Sequence, residues 1–217
     1  MLSLGNIAFA ASPQLSLGNA SGIPGSTTSL PGQIRNATGV VALQYDVIYE
    51  GGQLTATAIT PGNALLNHTL HLSRLSDHSS RVLVYSLSNL GLQDGILANL
   101  YFAIASNAPA GTVAITLTNS IFADASAKAI PPATDLPGTL TIRAGPAQLG
   151  EITRSVDGLI QFNLTGTDRG EYQIEASSDL VHWQVLGAVT ATQGKIRWTD
   201  PAAIAYPNRF YRAVAKP

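Results

Sequence analysis

An all-β chain of two consecutive β-sandwich domains is the predicted architecture, and three observations carry it. Apolar and polar residues alternate in short runs almost everywhere, each run ends at Gly, Pro, Asn or Asp, and helical periodicity is nearly absent. Alternation with period two places one side of each run in a core and the other toward water.

Taken in order, strands are predicted at Gln14–Leu17, Ser26–Ile34, Val40–Tyr49, Leu54–Thr60, Thr69–Ser76, Val82–Ser88, Gly95–Ile104, Thr112–Thr118, Ile121–Asp124 and Gly138–Ile142. Gly18–Gly25 reads as a Gly-punctuated turn, and the polar cluster Leu75–Arg81 as a hairpin turn. Arg143-Ala144-Gly145-Pro146 interrupts the pattern, so residues 13–143 form one domain, 144–146 a linker and 147–217 a second domain. The second carries strands at Gln148–Thr153, Leu159–Leu164, Tyr172–Ser177, Trp183–Val189, Lys195–Thr199 and Arg209–Val214.

Composition narrows the function classes. The 217 residues are 45% hydrophobic and 12% charged, so the chain can bury two cores. Net charge is −1 with no run of like charges, which leaves no electrostatic footprint for nucleic acid. No apolar stretch is long enough for a membrane span. The absence of cysteine removes thiolate catalysis, cysteine-ligated zinc and disulfides together. Residues 1–12 hold a small-x-small pattern at Ala8-Phe9-Ala10 without a basic segment before Arg35, and read either as the remnant of a signal peptide or as a frayed first strand.

Three segments of the first domain carry a resemblance. They are Gly18–Gly25 with Thr27-Thr28-Ser29-Leu30; Val40–Glu50 leading to Thr60-Pro61-Gly62; and Asp94–Ile104 followed by Asn107-Ala108-Pro109-Ala110-Gly111-Thr112 and Leu117-Thr118-Asn119. Together they resemble the cohesin and cohesin-like carbohydrate-binding superfamily, which implies a jelly-roll sandwich. In cohesins that grip dockerins the matching strand offers polar residues, Asn and Asp, at the positions aligned with Ala42 and Gln44. The second domain carries Tyr172–Trp183, Trp198–Ala202 and Pro207–Arg212. It is similar to a small module at the ends of secreted bacterial proteins, and that similarity implies an immunoglobulin-like, fibronectin-III-like sandwich.

Candidate site residues follow from period two. Leu43, Tyr45, Val47 and Tyr49 are expected inward, leaving Ala42, Gln44, Asp46 and Ile48 outward. Ala98, Leu100, Phe102 and Ile104 share the core face of the next long strand, with Leu97, Asn99, Tyr101 and Ala103 on the other. Gln44, Asp46, Tyr85, Asn99 and Tyr101 are therefore the candidate ligand-binding residues. Trp183 and Trp198 are read as core plugs.

No catalytic set converges. His68, His71 and His78 are spaced for opposite strand faces, Asp77-His78-Ser79 are adjacent in a turn, and Asp46 and Glu50 lie about 13 Å apart along one strand. Asp94, Asp124 and Asp135 lie in turns and offer oxygens of the calcium-binding kind, but without the regular acid spacing of a calcium loop, so no cofactor is expected. The expectation is a non-enzymatic, secreted or cell-surface binding or scaffolding protein. Its partner would be a surface or secreted protein, or a polysaccharide. The alternative is the accessory region of a polysaccharide-degrading enzyme whose catalytic domain lies elsewhere.

Overall fold

The structure is a computed structural model and describes residues 11–216. Most of the N-terminal segment read as a signal remnant or first strand lies outside the described residues. The strands are β1 (Gln14–Leu17), β2 (Asn19–Gly22), β3 (Thr27–Arg35), β4 (Ala42–Ile48), β5 (Leu54–Pro61), β6 (Thr69–Arg74), β7 (Ser79–Tyr85), β8 (Gly95–Ile104), β9 (Gly111–Ala123), β10 (Ala129–Ile130) and β11 (Gly138–Ile142). They are followed by β12 (Gln148–Arg154), β13 (Ile160–Thr165), β14 (Glu171–Ser177), β15 (Gln184–Thr190), β16 (Lys195–Asp200) and β17 (Phe210–Ala215), with a 3-10 turn at Pro201–Ala205. Among the described residues no helix is long and apolar enough to cross a membrane.

The chain clusters into two compact units: one of residues up to Ala20, Thr28–Phe102 and Ala114–Leu140, the other of Ser21–Thr27, Ala103–Val113 and Thr141–Pro217. Strands β1 to β11 form two sheets, ordered β1-β3-β8-β5 and β2-β11-β9-β4-β7-β6, with β10 on the side of β9. Leu15, Ile34, Leu43, Tyr45, Val47, Val82, Val84, Leu100, Phe102, Ile115, Phe122 and Leu140 fill the space between them. Each such large apolar side chain contributes about 1.5–3 kcal/mol by leaving water.

The strands of these first two sheets depart from the expected pattern at three places. Gly18–Gly25 is not all turn, because Asn19–Gly22 is a strand in its own right. The chain passes from one sheet to the other at Gly18, where a Cβ would stand 2.8 Å from the Pro31 ring, so only glycine fits. The two strands expected at Thr112–Thr118 and Ile121–Asp124 are one strand, β9, since a bulge rather than a turn occupies Asn119 and Ser120. Leu97 is fully buried instead of outward, because the segment Gly62–Ala64 hydrogen-bonds along β8 there and Ala64 is itself buried.

In the second unit the sheets are β12-β13-β16 and β15-β14-β17. Phe162, Leu164, Tyr172, Ile174, Ala191 and Ile196 are its buried center. The Tyr172 hydroxyl donates to the Gly145 carbonyl at 3.0 Å and accepts from the Thr167 N–H at 2.7 Å, so the phenol of a core residue pins Gly145. Trp198 packs across onto β15, where a Cβ on Gly187 would stand 2.7 Å from its ring. The absence of a side chain at Gly187 makes room for the indole.

Trp183 is not the core plug expected. It precedes β15, is half-exposed, donates Nε1–H to the Leu180 carbonyl at 3.2 Å and lies beneath the Arg212 guanidinium, 4.1 Å from the ring center. The reason is the turn before it. Asp179 Oδ1 accepts the N–H groups of Val181 and His182, Leu180 takes φ +63°, and the chain re-enters the sheet with the indole turned away from the core.

Candidate protein-docking face

The outer surface of β9-β4-β7-β6 is built by register. Gln44 on β4 stands opposite Leu83 on β7 and Ile121 on β9, and Leu83 in turn stands opposite His71 on β6. One row across four strands thus reads Ile121, Gln44, Leu83, His71. The next reads Thr118, Asp46, Arg81, Ser73. Their sequence neighbors Leu43, Tyr45, Val47, Val82, Val84 and Phe122 point the opposite way and are buried.

Two apolar side chains are left in the open on this face: Ile121 is 53% exposed and Leu83 39%. They flank Gln44, and Tyr85 and Thr69 form a cross-strand pair on the adjoining row. Isolated exposed aliphatics are ordinary, but apolar residues in register on one broad sheet face form a surface that loses water favorably when covered.

Asp46 lies on the same face and is nevertheless shut off. Arg81 donates from Nε to Oδ1 at 2.7 Å and from Nη2 to Oδ2 at 2.9 Å, a bidentate grip, and Asn119 Nδ2 donates to Oδ2 at 2.8 Å. The Asp46 side chain is 5% exposed against 38% for Arg81. Hydrogen bonding from Arg81, with help from Asn119, holds the Asp46 carboxyl below its usual range, and Asp46 in turn holds Arg81 above its own. The bulge in β9 makes this possible. Pairing with β4 shifts between Gln44 and Asp46, Asn119 takes φ +53°, and its amide reaches the carboxylate.

Of the candidates expected from sequence, Gln44, Asp46 and Tyr85 gather on this face. Asn99 and Tyr101 belong to β8 in the other sheet, where the Tyr101 carbonyl accepts from the Thr57 hydroxyl at 3.3 Å. Leu83, Ile121, Arg81 and Asn119 escaped the sequence reading. A signal for two of them was present: Val82-Leu83-Val84 and Ile121-Phe122 put apolar side chains on both faces of their strands.

The turn acids act as loop staples. Asp94 Oδ1 accepts from Ala37 N–H at 2.7 Å, Asp124 Oδ1 from Ser126 and Lys128 N–H at 2.8 and 2.9 Å, and Asp135 from Leu15 N–H at 3.2 Å and from the Ser120 hydroxyl. Among the described residues no three His, Cys, Asp or Glu side chains gather as metal ligands.

A sandwich of this strand order invites comparison with known proteins. A model of the cohesin domain matches residues 13–142. The chain belongs to the cohesin family. Cellulose-binding protein A of Clostridium cellulovorans is 26% identical over 133 residues, a stretch that is 59% of this chain and 7% of that protein. The cohesin CaCohA2 of Clostridium acetobutylicum is 30% identical in sequence with a TM-score of 0.53, covering 60% of this chain and 90% of that one. The sixth cohesin of Acetivibrio cellulolyticus scaffoldin B, solved with a Cel5 dockerin, shares the fold at 22% identity and a TM-score of 0.55, covering 61% of this chain and all of that one (100%).

Proposed function

We propose that this cohesin-family protein is a non-catalytic binding protein that docks a dockerin module on the outer face of β9-β4-β7-β6. One observation carries the reading: Ile121 and Leu83 lie exposed and in register on either side of Gln44. The face is an open sheet surface, and its acid is neutralized, so it offers shape and apolar area to a protein partner and no reactive group to a substrate. Ala42 and Gln44 replace the Asn and Asp of the cohesins discussed above, which makes the center of this face less polar and shifts the binding energy toward burial of Leu83 and Ile121.

The second unit is a fibronectin-III-like spacer or attachment module, and the protein works outside the cell or at its surface as part of a scaffold. The support is family membership for the location, and two facing three-stranded sheets around one core for the spacer. Calorimetric titration of the full chain with purified dockerin modules, including those paired with the Clostridium acetobutylicum and Acetivibrio cellulolyticus cohesins, tests the reading. Binding that is lost in Leu83→Asp supports it. Retention on insoluble glycans together with no binding to any dockerin overturns it.

A further inference from the structure

The polarity of the docking face specifies the chemistry of what sits on it, an inference that rests on the same face being the binding surface. Asp46 and Arg81 are the formally charged residues at its outward strand positions; the others are apolar, hydroxyl, amide or imidazole. The two are not equivalent toward a partner. Asp46 accepts from Arg81 Nε and Nη2 and from Asn119 Nδ2 and keeps 5% exposure. Arg81 uses two of its nitrogens on Asp46, remains 38% exposed and has further N–H donors on the guanidinium.

At the rim, Arg74 and Asp77 pair with one another, and Asp124 accepts N–H groups of its own turn. A partner lysine or arginine laid across the center would therefore lose its water, meet the guanidinium of Arg81 and find the carboxylate already saturated. A carboxylate or carbonyl placed opposite Arg81 gains a charge-assisted hydrogen bond.

We infer that this face selects a partner surface with an apolar ridge over Leu83 and Ile121 and a carboxylate or carbonyl facing Arg81, and discriminates against basic side chains at the center. Arg81 is the specificity-determining residue, and Asn119 keeps it so by sharing the load on Asp46.

The test is a selection with the full chain immobilized, against a library of small helical scaffolds with one randomized surface, keeping the binders lost on Leu83→Asp. The expected outcome is enrichment of Asp and Glu over Lys and Arg at the randomized contact positions, and an affinity about tenfold lower when one selected acid is changed to lysine. Arg81→Met, which uncovers the Asp46 carboxylate, is expected to reverse the preference. Asp46→Asn, which leaves Arg81 uncompensated, is expected to strengthen it, so the inference is tested even should one variant fold poorly. Enrichment of basic residues on the unaltered face, or no binder sensitive to Leu83→Asp, overturns the inference. Dockerin titrations that fail while acid-rich, Leu83-dependent binders emerge reject the dockerin reading and leave the polarity intact.

Discussion

Arg81 grips Asp46 through two hydrogen bonds of 2.7 and 2.9 Å across neighboring strands, on the outside of a sheet where both side chains were free to face water. The pair converts a surface acid into a structural one, and its consequences are measurable.

Because the folded Asp46 carboxyl titrates below its unfolded value, its stabilization is complete above the ordinary carboxylate pKa, about 4, and is lost as pH falls through the lower folded value. Chemical denaturation of the native protein and of Asp46→Asn is therefore expected to differ most near neutrality and to converge in acid. Arg81→Met is expected to lower stability near neutral pH, by less than the loss of a fully buried pair because Arg81 is partly solvated.

Leu83→Asp and Ile121→Asp put a charge where water already reaches, so each is expected to leave the melting temperature nearly unchanged. Each is expected to weaken partner binding by about 2 kcal/mol or more, as loss of a central apolar contact does. Tyr101→Ala, on the opposite sheet, is expected to leave binding alone. Titration calorimetry of the three variants separates the faces.

The Tyr45 hydroxyl is buried with no hydrogen-bond partner among the described residues, and burial, with Asp135 adding to it, pushes its pKa well above the ordinary phenol range. Removing it in Tyr45→Phe is expected to raise stability by about 1 kcal/mol, read from the urea midpoint. A drop would place a partner on that oxygen.

In the second unit Asp200 is 2% exposed. It caps the 3-10 turn through Ala202 N–H at 3.0 Å, accepts from the Tyr211 hydroxyl at 3.0 Å, and stands 2.7 Å from Arg209 Nε, whose own N–H is not aimed at it. The Arg209 contact is thus a charge contact more than a hydrogen bond. Burial first, and then Asp200, pushes Tyr211 up to about 12. Asp200→Ala strands a buried guanidinium and is expected to cost about 3–5 kcal/mol, visible as early loss of protection in β16 and β17 by hydrogen exchange.

Gly187→Ala drives a methyl into the Trp198 ring and is expected to destabilize the second unit by about 1–3 kcal/mol, seen as a red shift of tryptophan emission at lower denaturant concentration than in the native protein.

Much of the fold was legible because burial in a sheet has period two. Gln14–Leu17, Gly95–Ile104 and Gly138–Ile142 are strands with the predicted bounds, and the inward set on β4 is buried as expected. Local pattern failed where long-range geometry intervened. Asn119 and Ser120 look like a turn, yet they form a bulge because β4 continues alongside. Trp183 looks like core, yet a turn fixed by Asp179 rotates it outward beneath Arg212.

The amino-acid sequence by itself determined that the chain is all-β and most of the residues that alternate into the core, since these depend on side-chain type and near-neighbor spacing. Only the tertiary structure decided which strands lie side by side. That pairing brings Leu83 and Ile121 to either side of Gln44 from far apart in the chain, and it spends Asp46 on Arg81 and Asn119. Cross-strand register is set by whole-sheet packing, and no local window of residues encodes it.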